Sequence, residues 1–199
     1  MKKLQSTWYN MAIVLTAIAV VAGAALGYVN NVTEGPIKII KEKTELAAIA
    51  QVLGGGDVCI SDTIKVLAQG AKDTTYIYRT DKGTAVKKTD PKGFGGKLTV
   101  MVGLAPDGTI LGYKVLESKE TPGLGAKAKD WFQQGQKGDI IGKKAGNLAV
   151  TKDKGGDVDA ITASTITSKA FLRCINAAYE ELSKDSSHEQ SEARQQLER

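Results

Sequence analysis

The sequence predicts an α+β protein: one amino-terminal transmembrane helix, then one domain of antiparallel hairpins with flanking helices. Three observations predict it. No charged residue occurs from Leu4 to Thr33. Between residues 74 and 118, short runs rich in β-branched and aromatic residues alternate with turn signals. The segments before and after those runs carry apolar residues at helical spacing. Strands in adjacent hairpins, with helices at either end, fit an α+β domain rather than a doubly wound parallel one.

Residues 8–30 form the predicted span. Met11 to Val29 is almost wholly apolar or small, and roughly 20 such residues in a helix cross the hydrocarbon core. Trp8 and Tyr9 at one end and Tyr28 at the other match interfacial aromatic belts. The alternative is a cleaved signal peptide, with Lys2 and Lys3 as its basic start and Ala22-Gly23-Ala24 as its cleavage site. Length and the two aromatic flanks favour a retained anchor. Lys2 and Lys3 oppose Lys38, Lys41 and Lys43 across the span, so charge alone barely orients it. The very short head, residues 1–7, makes a cytoplasmic amino terminus and an extracytoplasmic main domain the simpler expectation.

The main domain is expected over residues 31–182. After Gly35-Pro36, Ile37, Ile40, Leu46, Ile49, Ala50 and Leu53 recur at helical spacing, and Gly54-Gly55-Gly56 ends that helix. Residues 74–88 read as two strands around Asp81-Lys82-Gly83, and residues 97–104 and 109–118 as a hairpin around Pro106-Asp107-Gly108. A proline-glycine loop then enters a helix predicted from about Ala126 to Gly135, and residues 147–150 read as a short strand. The last helix starts near Ser164, with Phe171, Ile175, Ala178 and Leu182 on one apolar face and Thr165 well off it. Residues 183–199 form a polar, solvated tail. The lone His188 falls there, so no catalytic role is assigned to it.

Composition removes several function classes. The net charge of +5 is spread among Asp, Glu and Gly, with no aromatic and basic stripe, so nucleic acid is not an expected partner. Cys59 and Cys174 lie far apart and form no Cys-x-x-Cys pair, which leaves no metal site. They are read as thiols, Cys174 in the core, with a disulfide as the alternative outside the cytoplasm. Residues 93–97, GFGGK, lack the first glycine and the hydroxyl residue of a phosphate loop. Residues 123–128, GLGAKA, follow a hairpin strand rather than opening a βαβ unit. Lys169 directly follows Ser168, so no Ser-x-x-Lys nucleophile exists.

Residues 159–168, DAITASTITS, crowd Thr162, Ser164, Thr165, Thr167 and Ser168 just before the last helix. Two readings stand on spacing alone. Thr162 or Ser164 caps the helix, or the turn receives a phosphate, which free N–H groups and the helix dipole favour.

Three segments, GFGGKLTVMVGLAPDGTILGYKVLES, KETPGLGAK and DAITASTITS, resemble the FMN-binding domain family. That family includes the G subunit of the ion-translocating Rnf electron transport complex and the C subunit of the sodium-pumping NADH:quinone reductase. The single span and the length are closer to the Rnf protein. In that family FMN is joined by a phosphoester to the last threonine of a Ser/Thr-Gly-Ala-Thr motif, by a separate magnesium-dependent flavin transferase that uses FAD. The resemblance puts Thr165 on the acceptor position and Asp159 on the preceding acidic position. Thr162, Ala163 and Ser164 fill the rest of the motif, with Ala163 for the usual glycine and Ser164 for the usual alanine. It also implies that Glu120, Thr121, Gly123, Leu124 and Gly125 line the flavin ring, with Phe94 a further contact. Trp131 is read as core, with stacking on the ring as the alternative.

The function implied is that of an electron carrier in the bacterial cytoplasmic (inner) membrane, single-pass, with its main domain extracytoplasmic or periplasmic. It would work with other membrane and redox subunits of a translocase linking ferredoxin and NAD. No catalytic residue is expected, and the chain is a relay station rather than a stand-alone enzyme. Two alternatives are a freestanding anchored flavoprotein feeding an extracytoplasmic reductase and a cofactor-free anchored interaction domain.

Overall fold

The computed structural model describes residues 7–56, 58–67 and 74–197. Lys2 and Lys3 of the head, Glu198 and Arg199 of the tail, and the side chain of His188 lie outside the described residues. The chain divides into two compact units, residues 1–44 and 45–199.

The first unit consists of most of helix α1 (Trp8–Val52). By length and composition α1 can cross a membrane, the one such helix among the described residues. Met11, Leu15, Ile18, Val21 and Leu26 all stand exposed on it. The span expected over residues 8–30 and the helix expected after Gly35-Pro36 are one continuous helix, with Pro36 inside it. A proline there forfeits one backbone hydrogen bond, at about 3 kcal/mol, while a long helix keeps the cooperative gain of every other turn. The Glu34–Lys38 ion pair, 2.7 Å, straddles the proline, and the Thr33 hydroxyl donates to the Val29 carbonyl at 2.7 Å.

The second unit begins with the final turns of α1 and contains a five-stranded antiparallel sheet in the order β1-β2-β3-β4-β5. Its strands are β1 (Ile60–Leu67), β2 (Thr74–Thr80), β3 (Gly83–Asp90), β4 (Leu98–Leu104) and β5 (Ile110–Ser118). The two expected hairpins are β2–β3 and β4–β5. Strand β1 escapes the sequence reading because it is an edge strand whose Ser61, Asp62, Thr63 and Lys65 are exposed, leaving an apolar alternation too short to stand out, Ile64 and Val66.

Strand β4 is buried on both faces. Its Leu98, Val100, Val102 and Leu104 enter one core with Ile110, Tyr113, Phe132, Phe171 and Ile175, beneath helix α3 (Thr165–Leu197). Its Met101 joins Tyr78, Ala85, Ala48, Ile49 and Val52 in a second core, beneath the end of α1. Gly103 and Gly112 face each other across β4 and β5. A Cβ at Gly103 would stand 2.2 Å from the Val52 carbonyl oxygen, so the sheet is bare where α1 rests on it.

The predicted helix from Ala126 to Gly135 shrinks to a 3-10 turn (Gly125–Lys127) and helix α2 (Ala128–Trp131). Tyr113 is the reason. Its hydroxyl donates to the Ala128 carbonyl at 2.9 Å and accepts from the Phe132 N–H at 3.1 Å, turning Phe132 inward to stack on Phe171 at 4.3 Å. Residues 147–150 are not a strand and retain a single bridge, Val150 to Val158. The Asn176 amide holds that segment instead, through the N–H groups of Gly146 and Leu148 and the carbonyl of Leu148. Helix α3 continues through the polar tail to Leu197. There Asp185 accepts from Arg79 at 2.5 Å.

Candidate functional site

The antiparallel register brings the loop entering β4 and the segment leaving β5 to one end of the sheet, since Leu98 pairs with Ser118. The two loops lie backbone on backbone. A Cβ at Gly95 would stand 2.1 Å from the Lys119 carbonyl oxygen, and one at Gly93 would stand 2.7 Å from Glu120 Oε1. Beyond Glu120 the chain turns tightly, with the Leu124 and Ala126 N–H groups both reaching the Thr121 carbonyl at 3.2 Å. Gly123 takes φ +77° in that turn. At Gly125 a Cβ would meet Glu120 Oε2 at 2.6 Å and Thr167 Oγ1 at 2.8 Å, so only glycine lets this loop lie on the first turn of α3.

That first turn is built by the hydroxyl cluster. Ser168 Oγ accepts from the Ile161 N–H at 2.9 Å and donates to the Ser164 carbonyl at 3.0 Å. Ser164 Oγ donates to Thr167 Oγ1 at 2.9 Å, and all three residues are buried. Thr162 is exposed. Thr165, half-buried at the first position of α3, has no hydrogen-bond partner for its hydroxyl among the described residues. Ala163, just before, holds φ 59°, the one described residue other than glycine with positive φ.

These three segments enclose a cleft of about 350 Å³. Glu120, Thr121 and Gly125 form one side, Ala163, Ser164 and Thr165 another. Phe94, Leu124 and Ile166 form an apolar mouth, 68%, 41% and 55% exposed. Glu120 is only 8% exposed, and both its carboxylate oxygens are buried without a hydrogen-bond partner among the described residues. A buried acceptor pair without donors costs free energy unless something brings donors to it.

The structure thus gathers Phe94, Glu120, Thr121, Leu124, Gly125, Ala163, Ser164 and Thr165 into one place. Gly123, Thr162 and Asp159 are not in the cleft lining. Asp159 is exposed, and its Oδ1 accepts from the Thr151 hydroxyl at 3.3 Å. Trp131 packs on the core and gives its indole N–H to the Asp159 carbonyl at 2.8 Å. Ile166 is the lining residue that sequence reasoning misses. Its one sequence sign is an apolar side chain standing off the Phe171–Ile175–Ala178 stripe.

Other reactive groups stand apart. Cys59 is an exposed free thiol and Cys174 a buried one. The Cys174 thiol points to the Leu98 carbonyl at 3.8 Å, and burial pushes its pKa up to about 12. No cluster of metal-ligating side chains occurs among the described residues.

A family model described as FMN-binding domain matches residues 93–180, a range that contains every segment of the cleft. The chain is 32% identical to the G subunit of the Na(+)-translocating ferredoxin:NAD(+) oxidoreductase complex of Acetobacterium woodii, over 92% of this chain and 98% of that protein. It is 29% identical to the G subunit of the ion-translocating oxidoreductase complex of Pseudoalteromonas atlantica, over 93% and 94%. With the G subunit of the proton-translocating ferredoxin:NAD(+) oxidoreductase complex of Clostridium ljungdahlii the identity is 35%, over 61% and 71%. With its cleft inside the matched domain and its similarity running nearly end to end, the chain belongs to the family of G subunits of ion-translocating oxidoreductase complexes, built on an FMN-binding domain.

Proposed function

We propose that this protein is a membrane-anchored electron-carrier subunit of an ion-translocating oxidoreductase complex, carrying FMN joined by a phosphoester to Thr165. The observation that carries the acceptor assignment is the division between adjacent hydroxyls. Ser164 Oγ is buried and bonded to Thr167, whereas Thr165 is a half-buried residue of the cleft lining whose hydroxyl has no hydrogen-bond partner among the described residues.

The cleft suits the group. The phosphate would sit at the start of α3, where free N–H groups and the helix dipole favour negative charge. Phe94, Leu124 and Ile166 offer apolar surface to a planar ring, and Glu120 in the cleft wall holds two buried, unpartnered oxygens that a side-chain rotation would turn toward its N–H or ribityl hydroxyl groups. Gly93 and Gly125 leave the room that this carboxylate occupies, since a Cβ at either would clash with it. Bound flavin supplies the one- and two-electron chemistry, while the protein's part is position and electrostatics. A covalent link retains the cofactor in an extracytoplasmic domain, and a dedicated flavin transferase would install it. Helix α1 serves as the single-pass anchor.

Co-expression with the transferase followed by a denaturing gel tests the reading. Ultraviolet-excited flavin fluorescence in the protein band is expected before staining. A dark band, with the same transferase active on a control acceptor, would reduce the hydroxyl cluster to a helix cap. Copurification of other redox subunits from native membranes separates a complex subunit from a freestanding carrier.

A further inference from the structure

The loop that carries Phe94 is Gly93-Phe94-Gly95-Gly96, a stretch with little conformational preference of its own. Something outside it must fix the ring at the cleft mouth. Three residues upstream of Gly93, the buried Asp90 engages both carboxylate oxygens. Oδ1 accepts from the Lys92 N–H at 2.6 Å, and Oδ2 accepts from Arg173 Nε at 2.6 Å. Arg173 Nη2 donates to the Lys92 carbonyl at 3.3 Å. The N–H and the carbonyl of Lys92 are therefore both held by one ion pair. Arg173 lies eight residues beyond Thr165 on α3, about 12 Å along the same helix.

Resting on the function proposed above, we infer that Asp90 and Arg173 are positioning residues for the flavin. They tie the Phe94 wall of the cleft to the helix that bears the acceptor, so both walls move as one body. The pair is peripheral to the cleft: neither residue lines it. Its Arg173 side is half exposed and its Asp90 side nearly covered. An ion pair of that exposure adds little to global stability. Its effect is local, on the opening of the glycine loop.

Arg173→Gln and Asp90→Asn test this, with Arg173→Lys as the conservative variant that keeps the charge but loses the two-nitrogen geometry. In the cofactor-free chain, exchange of the two hydrogen-bonded amides of this stretch, Lys92 and Gly96, should accelerate about tenfold in Arg173→Gln, less in Arg173→Lys, with the rest of α3 unchanged. In the flavin-loaded protein, iodide quenching of flavin fluorescence should rise about twofold, because a loosened loop admits solvent. The midpoint potential should move upward, since water in place of the phenyl ring favours the anionic reduced form. Unchanged exchange and quenching in a folded variant would overturn the inference. Should Arg173→Gln not fold, the same two readouts on Asp90→Asn and Arg173→Lys decide it. A wild type that takes no flavin would sink the functional reading alone, since exchange in the cofactor-free chain still decides the clamp.

Discussion

Ser164 Oγ and Thr167 Oγ1 lie 2.9 Å apart in a buried hydrogen bond, and Thr165, between them in sequence, is excluded from it. Thr165→Val should therefore abolish covalent flavin while leaving the unfolding midpoint within error. Ser164→Ala should keep the flavin and lose about 1 kcal/mol of stability with the hydrogen bond. In-gel fluorescence and urea unfolding check the two outcomes. Flavin persisting in Thr165→Val would move the acceptor elsewhere.

Ala163 occupies a backbone conformation, φ 59°, that a Cβ disfavours. Replacing it with glycine relieves that strain but loosens the unfolded chain. The net expectation is a gain of about 0.5–1 kcal/mol for Ala163→Gly. A higher urea midpoint at unchanged slope would show it.

Gly103→Ala should be among the most damaging changes in the sheet. The new Cβ would meet the Val52 carbonyl oxygen at 2.2 Å, and a backbone atom cannot rotate away. A loss of about 1–3 kcal/mol or more is expected, with the α1 end displaced. Chemical denaturation, with proteolysis near Gly54 as a local readout, measures both.

The two thiols should behave oppositely. Cys59 is exposed, whereas Cys174 is buried and held protonated by that burial. A thiol reagent on the native protein should label Cys59 alone, and both residues in denaturant. Mass spectrometry of the labelled peptides decides this.

Alkaline pH should weaken the fold through Tyr78, whose phenol pKa is raised to about 12 by burial and then by the charge and hydrogen bond of Glu45. The folded state holds that proton more firmly than the unfolded chain. Its contribution is complete below about 10 and is lost as pH rises through about 12. Burial also pushes Tyr113 upward. Spectrophotometric titration should show a late tyrosinate component that diminishes in Tyr78→Phe.

Much of the fold is written in local pattern. The apolar run of α1, the Asp81-Lys82-Gly83 and Pro106-Asp107-Gly108 turns, and the Phe171–Ile175–Ala178 stripe each follow from residues close in sequence. So do the segments that meet in the cleft, which are legible as motifs. Local pattern misjudges the places where a distant group intervenes. The helix expected to reach Gly135 stops at Trp131 because Tyr113, on β5, binds its carbonyls. The strand expected at residues 147–150 is dismantled by the side chain of Asn176 on α3.

By itself the sequence determined the long apolar helix, the two hairpins, the last helix and the identity of the hydroxyl-bearing turn, because helical and strand periodicity and turn chemistry are short-range properties. Only the tertiary structure decided which hydroxyl stands free, that the Glu120 carboxylate near it is buried without a partner among the described residues, and that Asp90 reaches Arg173. Each of those depends on side chains far apart along the chain being brought within hydrogen-bonding distance or kept from it, which no local rule encodes.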